Sequence, residues 1–317
     1  MQKSDAPLIF DTSEGQQLRI NTINTFLKNK FNCKVVKLSI DGGFTCPNRD
    51  GTKGTGGCLF CSSSGSGDMA DGSGDIIADL NNQIKLLSAK WPEARYIAYF
   101  QSHTNTYAPV DVLRSKFYKA LEHPDVIGIA IATRPDCITD EIADLLAEIN
   151  RNTFMWVELG LQTIHPATMD EMNLCYTADD YDNAADTLIS RGIPVVTHLI
   201  LGLPGESQTM MLESVKHVCR KKIFGMKLHM FNLVKGSAME KLYSDYVPFT
   251  SIDEYVDLVI SAIEIIPPEI TLHRISGDAP RSTLIAPEWS YKKRTILNGI
   301  HRTMRERNTW QGKKLLP

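Results

Sequence analysis

Nowhere in its 317 residues does the chain run to eighteen consecutive apolar side chains, so the sequence offers no membrane-spanning helix and no membrane partner is expected. Its opening residues, MQKSDAPLIFDTSEGQQ, lack the basic-then-apolar order of a secretory signal, which makes the cytoplasm the expected location. Low-complexity tracts and repeats of fixed length are missing too, which argues against a solenoid or a disordered chain. Charge is nearly balanced, at −3 overall. What is present is an ordinary globular composition, 43% hydrophobic and 22% charged, long enough for one large α/β domain and a smaller appendage. In a reducing compartment the seven cysteines read as metal ligands or catalytic groups where they cluster, and not as disulfides.

The small net charge hides an imbalance. From Tyr291 onward eight Lys and Arg residues face a single Glu, a local +7 that leaves −10 on the first 290 residues. A basic end on an acidic body suits a polyanionic partner. Lys292, Lys293, Arg294, Arg302 and Arg305 are the candidate nucleic-acid contacts. A solvated helix face with a frayed end would have the same composition.

Strand-like and helix-like segments alternate along the chain. KVVKLSI (34–40), RYIAYFQS (95–102), VIGIAIATRPD (126–136), FMWVELGLQT (154–163), PVVTHLILGLPGE (194–206) and GMKLHMFNLV (225–234) read as buried strands. Helices are expected over 75–90, over 109–122 with Pro109 at the start, over 139–150 with Thr139 as cap, and near 179–191 and 207–220. Six strand–helix units in a row imply parallel strands with right-handed crossovers, as a doubly wound sheet or an open barrel. Polar residues gather at the C-terminal strand ends, where both architectures place their sites. After about residue 245 the pattern changes to an amphipathic helix over 251–266, a stop at Pro267–Pro268, a late strand and loop over 269–281, and a basic helical tail. The expected division is a helical lead-in over 1–31, a main α/β unit over 32–245 with a cysteine loop at 41–62, and an extension over 246–317.

Three of the cysteines share that loop, CPNRDGTKGTGGCLFC, as Cys46, Cys58 and Cys61. The Cys-x2-Cys pair brings two sulfurs to one centre, and the glycines at 51, 54, 56 and 57 let Cys46 fold back onto them. Zinc would want a fourth ligand, for which His103 is a candidate. An electron-carrying four-iron cluster would want a fourth cysteine, and Cys33, Cys137, Cys175 and Cys219 are poorly placed. A cluster held by three thiolates leaves one iron open to a small molecule.

LSIDGGFTCPNRDG, TRPD, VELGLQT, ILGLPGE and HRISGDAP, in this order, resemble segments of the radical S-adenosylmethionine (SAM) enzymes. The likeness is to the branch related to the elongator catalytic subunit, of the YtqA/YhcC type, and covers roughly residues 20 to 305. It implies a partial (β/α)6 TIM-like barrel with a C-terminal extension. Cys46, Cys58 and Cys61 would hold a [4Fe-4S] cluster whose open iron takes the amino and carboxylate groups of SAM. Reductive cleavage of SAM then yields a radical that removes a hydrogen atom from the substrate, with an electron donor such as flavodoxin or ferredoxin. The cofactor carries the chemistry, and the protein orients it in a closed, dry site.

Other positions gain roles in that light. Arg134 could pair with the SAM carboxylate, or form a rim salt bridge with Asp136. Glu158 interrupts an apolar strand, so it must face the interior or the mouth and meet a partner; the resemblance favours SAM over Arg134. Gln162 points to the same side and could reach ribose. Gly202, Pro204 and Gly205 form a turn that the family places beside the adenosyl group. Where many relatives carry a Gly-Gly-Glu that binds the SAM ammonium, this chain has AYFQSHTN (98–105), and Gln101 with its backbone is the substitute. His198, His229 and His273 lie in strand-like segments, where a histidine is more often a satisfied core group. His273, with Arg274 and Asp278, is the candidate catalytic set at the substrate mouth. Seven methionines read as core filling. The basic tail and the elongator kinship point to tRNA as substrate. For the YtqA-like branch the family reading is conversion of 5-carboxymethylaminomethyl-uridine to 5-aminomethyl-uridine at the wobble position, with a tRNA methyltransferase as a possible next enzyme. A radical SAM enzyme acting on a small metabolite or peptide, and a non-catalytic zinc-containing tRNA-binding protein, are the rivals.

Overall fold

The computed structural model describes residues 10–11, 17–62, 72–277 and 279–315. Seven strands form one parallel sheet: β1 Val35–Ile40, β2 Arg95–Phe100, β3 Val126–Thr133, β4 Phe154–Gln162, β5 Val195–Leu201, β6 Gly225–Met230 and β7 Thr271–Arg274. Their order in the sheet is their order in the chain. That settles the choice left open by the sequence. A doubly wound sheet reverses direction at a switch point, and this one never does. Right-handed crossovers therefore stack the connecting helices on one face, while the other face curls into the interior of a half-barrel.

All six expected strands are present, and a seventh joins the edge of their sheet. Residues 271–274, read as part of the extension, pair in parallel with β6, Thr271 opposite Gly225 and Leu272 opposite Met226. The strand is four residues long, carries a register shift, and ends in His273 and Arg274, so its sequence signal is weak.

Among the described residues the helices longer than two turns are α1 Ile23–Phe31, α2 Ile76–Ser88, α3 Val110–Leu121, α4 Asp140–Asn152, α5 Ala178–Ser190, α6 Gln208–Val218, α7 Ile252–Ile263 and α8 Lys293–Glu306. Local chemistry fixes their starts. Thr139 accepts from the Ile142 N–H ahead of α4, and Thr177 with Asp180 makes a reciprocal capping box on α5. Each satisfies an N–H that the helix itself cannot.

Strand alternation sorts the apolar side chains into two cores. Leu38, Ile40, Phe100, Ile129, Ile131 and Val157 face the outer helices. Val35, Ile97, Tyr99, Ala130, Ala132, Trp156 and Val196 face inward, where they meet Ile23 and Leu27 of α1. Helix α1 thus plugs the N-terminal end of the half-barrel. Its Phe26 ring lies 5.0 Å from Phe224 and its Phe31 ring 5.3 Å from Phe154. Each aliphatic side chain buried there contributes roughly 1.5–3 kcal/mol.

A seam joins the two ends of the chain. The Leu272 N–H donates to the Asn21 carbonyl at 2.7 Å. The Asn21 N–H donates to Gln311 Oε1 at 2.8 Å, and Gln311 Nε2 reaches the Pro267 and Ile270 carbonyls, both at 2.8 Å. Helix α8 buries Ile296, Ile300 and Met304 and packs on α7. Its opposite face leaves Lys292, Lys293, Arg294, Arg302 and Arg305 exposed. Arg302 pairs with Glu306 one turn on at 3.8 Å, and Arg307 and Lys314 pair with Asp257 and Glu264. Among the described residues no helix is long and apolar enough to cross a membrane.

Candidate active site

At the C-terminal ends of the strands lies a cavity of about 770 Å³. Cys46, Cys58 and Cys61 line one end of it, and Gln101, Arg134, Glu158, Gln162, His198, His229 and Arg274 line the rest. Strand ends bring these residues together from sequence positions more than two hundred apart.

The cysteine loop is held by its own backbone and by a brace. The Arg49 N–H returns to the Cys46 carbonyl at 2.8 Å, and the Gly57 N–H donates to the Asn48 carbonyl at 2.8 Å. Gly56 and Gly57 have φ of 82° and 80°, a left-handed backbone that suits glycine. Asn48, fully buried, donates through Nδ2 to the Asn173 carbonyl at 2.6 Å and to Cys58 Sγ at 3.6 Å. Asn173 returns the contact to the Gly57 carbonyl at 2.9 Å. The segment after β4 therefore clamps the loop. Among the described residues no three Cys, His, Asp or Glu side chains converge on a point as a single metal ion requires. A four-iron cluster differs from zinc here, because each thiolate takes a different iron. All seven cysteines are free, and Cys33, Cys137, Cys175 and Cys219 do not line the cavity.

Arg134 is buried and makes the rim salt bridge, with Nε to Asp136 Oδ1 at 3.0 Å and Nη2 to Oδ2 at 2.9 Å. Its guanidinium also lies 4.8 Å from the Tyr176 ring centre. The buried Nη1 has no hydrogen-bond partner, so the group retains a donor beside the cysteines. Lys53 shares Asp136 at 2.8 Å.

Glu158 is fully buried at the cavity floor. It accepts from Tyr99 Oη at 2.6 Å, Trp156 Nε1 at 2.9 Å, His198 Nε2 at 2.8 Å and the Lys227 ammonium, and Lys37 Nζ stands 3.7 Å away. The partner that burial demanded is therefore this set, and not Arg134. Burial opposes the charge on Glu158, but Lys227, Lys37 and His198 outweigh it and hold the carboxyl well below its usual range. Burial, then Lys227, pushes His198 down to about 4, so near neutral pH it is an uncharged ring that donates Nε2–H to Glu158.

Gln162 lines the cavity with a φ of 69°, and its Nε2 folds to within 2.6 Å of where a Cβ on Gly160 would stand. Glycine at 160 is what lets that amide turn inward. Gln101 Oε1 accepts from Ser39 Oγ at 2.9 Å.

Other expected site residues lie elsewhere. Gly202, Pro204 and Gly205 do not line the cavity. Tyr246 Oη donates to the Gly202 carbonyl at 2.9 Å, and a Cβ on Gly202 would meet Phe249 at 2.7 Å, so the turn is packed under residues 246–249. His273 sits below the floor, its ring 5.5 Å from Trp156 and 5.4 Å from Phe224, with Nε2 at 3.0 Å from Thr271 Oγ1. Arg274 reaches the cavity. Asp278 lies outside the described residues.

Lys37 and Lys227 were not singled out by the sequence. The signal was available. Each is a lone cation in an apolar strand, the same anomaly that marked Glu158.

Among known proteins, the Radical SAM superfamily pattern matches residues 49–218, which include Cys58 and Cys61 and begin three residues after Cys46. The Radical_SAM C-terminal domain matches residues 223–306. YtqA of Bacillus subtilis is 46% identical over 297 residues, 93% of this chain and 92% of that protein. YhcC of Escherichia coli K12 is 37% identical over 292 residues, 92% of this chain and 94% of that one. A tRNA uridine(34) acetyltransferase of Methanocaldococcus jannaschii matches at 23% over 175 residues, 54% of this chain and 31% of its own. The structure of the archaeal Methanocaldococcus infernus Elp3 with an N-terminal deletion superposes with a TM-score of 0.67 at 15% identity, over 87% of this chain and 64% of that chain, a likeness of fold. With over half its length inside the superfamily pattern and close relatives along nearly all of it, the chain belongs to the radical SAM superfamily, whose members use a [4Fe-4S] cluster and SAM.

Proposed function

We propose that this protein is a radical SAM enzyme that modifies tRNA, converting 5-carboxymethylaminomethyl-uridine to 5-aminomethyl-uridine at the wobble position. The observation that carries the enzymatic reading is the gathering of all three loop cysteines at one end of a cavity whose next wall holds a buried, unpartnered donor, Arg134 Nη1. Cys46, Cys58 and Cys61 would hold the cluster, and Arg134 would take the SAM carboxylate. Gln162 and Gln101 offer amides to the rest of SAM, and Glu158 acts on it through the floor that it organises. When bound, the cluster and SAM supply a hydrogen-atom acceptor and a one-electron relay.

The tRNA reading has two supports. One is the partial match to a tRNA uridine(34) acetyltransferase. The other is the exposed basic face of α8. On the substrate side, the carboxymethylamino group is an N-substituted glycine. Its α C–H is weak, because nitrogen and carboxylate both stabilise the resulting radical. Loss of that hydrogen atom, then of one electron and one proton, leaves an imine; water adds, the C–N bond breaks, and glyoxylate departs from the aminomethyl nucleoside. Incubation of reduced, cluster-loaded protein with SAM and tRNA bearing the group should give the aminomethyl nucleoside and 5′-deoxyadenosine. Deuterium at the glycine-like methylene should appear in the deoxyadenosine. No product and no label transfer from cluster-replete protein would refute the reading.

A further inference from the structure

The cavity has two ends that can receive an anion. One is Arg134 Nη1 beside the cysteines. The other lies across the cavity at the ends of β5, β6 and β7. There His229 Nε2 is buried without a hydrogen-bond partner, its ring 5.0 Å from that of His198, and Arg274 lines the same wall. Beneath them Lys37 and Lys227 share one carboxylate, Glu158. That layer lies under a wall that already offers the guanidinium donors of Arg274. A buried polar atom without a partner costs stability until something fills it, and a carboxylate there would select the His229 tautomer that carries its proton on Nε2.

SAM has one carboxylate, and the donor nearest the cysteines suits it. The far end is then open to an anion on the other reactant. We propose that His229 and Arg274, over the Lys37–Glu158–Lys227 layer, form a carboxylate-binding subsite for the substrate. The group it takes is a carboxylate on a short amine-linked arm, which a guanidinium fork and an imidazole N–H can grip. This rests on reading the substrate as a nucleoside that carries a carboxymethylamino group. It adds that the enzyme recognises the group by the part that it removes. Binding weakens once the carboxylate is gone, so the product leaves more readily than the substrate.

The test compares tRNA bearing the carboxymethylamino group with the same tRNA carrying its primary amide. Binding is measured on cluster-loaded protein with SAM and no reductant. Wild type should bind the acid about tenfold or more tightly than the amide, the scale of a lost charge-assisted hydrogen bond. In Arg274→Gln and in His229→Gln that ratio should fall toward one, with iron content, SAM affinity and amide-tRNA affinity kept. If the ratio survives in both variants, or if SAM affinity falls with it, the subsite is wrong. The wild-type comparison needs no variant to fold. Conversion of the acid by wild type without any preference over the amide overturns the subsite alone. Absence of both preference and conversion overturns the substrate reading with it.

Discussion

Replacing Glu158 with Leu should destabilise the protein far more than replacing Lys227 with Met, although the two side chains form one ion pair. Glu158 serves Tyr99, Trp156, His198, Lys227 and Lys37, and its removal strands two cations and three neutral donors in the interior. Breaking a buried pair from one side costs about 3–5 kcal/mol. Two features keep the loss from running higher. Lys37 is 27% exposed. Burial already pushes the Lys227 amine well below its usual range, so it can shed its proton when Glu158 is gone. Lys227→Met instead leaves Glu158 with four remaining neighbours and should cost about 1–3 kcal/mol. The double variant, with no buried charge pair to balance, should recover much of the Glu158→Leu loss. For a chain of this length about 1 kcal/mol corresponds to roughly 1.5 °C, so Glu158→Leu should melt about 5–8 °C low by anaerobic circular dichroism. A Glu158→Leu melt within about 1 °C of wild type, or a double variant no better than that single one, would refute the reasoning.

Three further outcomes are expected. Cys46→Ala, Cys58→Ala and Cys61→Ala should each abolish iron retention and SAM cleavage, while alanine at Cys33, Cys137, Cys175 or Cys219 should not; iron analysis after reconstitution decides. Arg134→Ala should weaken SAM binding about ten- to hundredfold with the cluster in place, and an unchanged dissociation constant would assign Arg134 to its bridge with Asp136 alone. Neutralising Lys292, Lys293, Arg294, Arg302 and Arg305 should weaken tRNA binding and flatten its log–log salt dependence by about 0.7–0.9 per lost phosphate contact, at unchanged melting temperature and cluster content. A wild-type slope would make that face a solvated helix surface.

The six long strands were legible because burial on both faces makes each a near-continuous apolar run, and Thr139 announced its helix by the chemistry of capping. Strand β7 was legible as a late strand within 269–281 but not as a member of the sheet, since four residues with three polar members, TLHR, carry no sign of which strand they pair with. The cysteine loop was legible in composition as well as spacing, as its glycines are the residues that allow the fold-back. The turn at 202–205 illustrates the opposite limit. Its composition marks a turn, but only Tyr246 and Phe249, more than forty residues on, determine which side is covered. Glu158 was recognised as anomalous, yet apart from Trp156 on its own strand its partners lie on four other strands, and a single sequence does not pair them.

The seam between Asn21, β7 and Gln311 has a consequence for how the chain is made. Asn21 and Gln311 are 290 positions apart, and Arg19 reaches Asn308 and the Thr309 carbonyl over a similar span. No folding of a nascent chain can complete these bonds until the last helix has left the ribosome. Strands β1 to β6 can pair in order as they emerge, each with the one before it, at short loop-closure cost. The segment that carries α1 emerges before the sheet and is fastened after it. For most of synthesis, the aromatic end of the half-barrel depends on a helix whose tether does not yet exist.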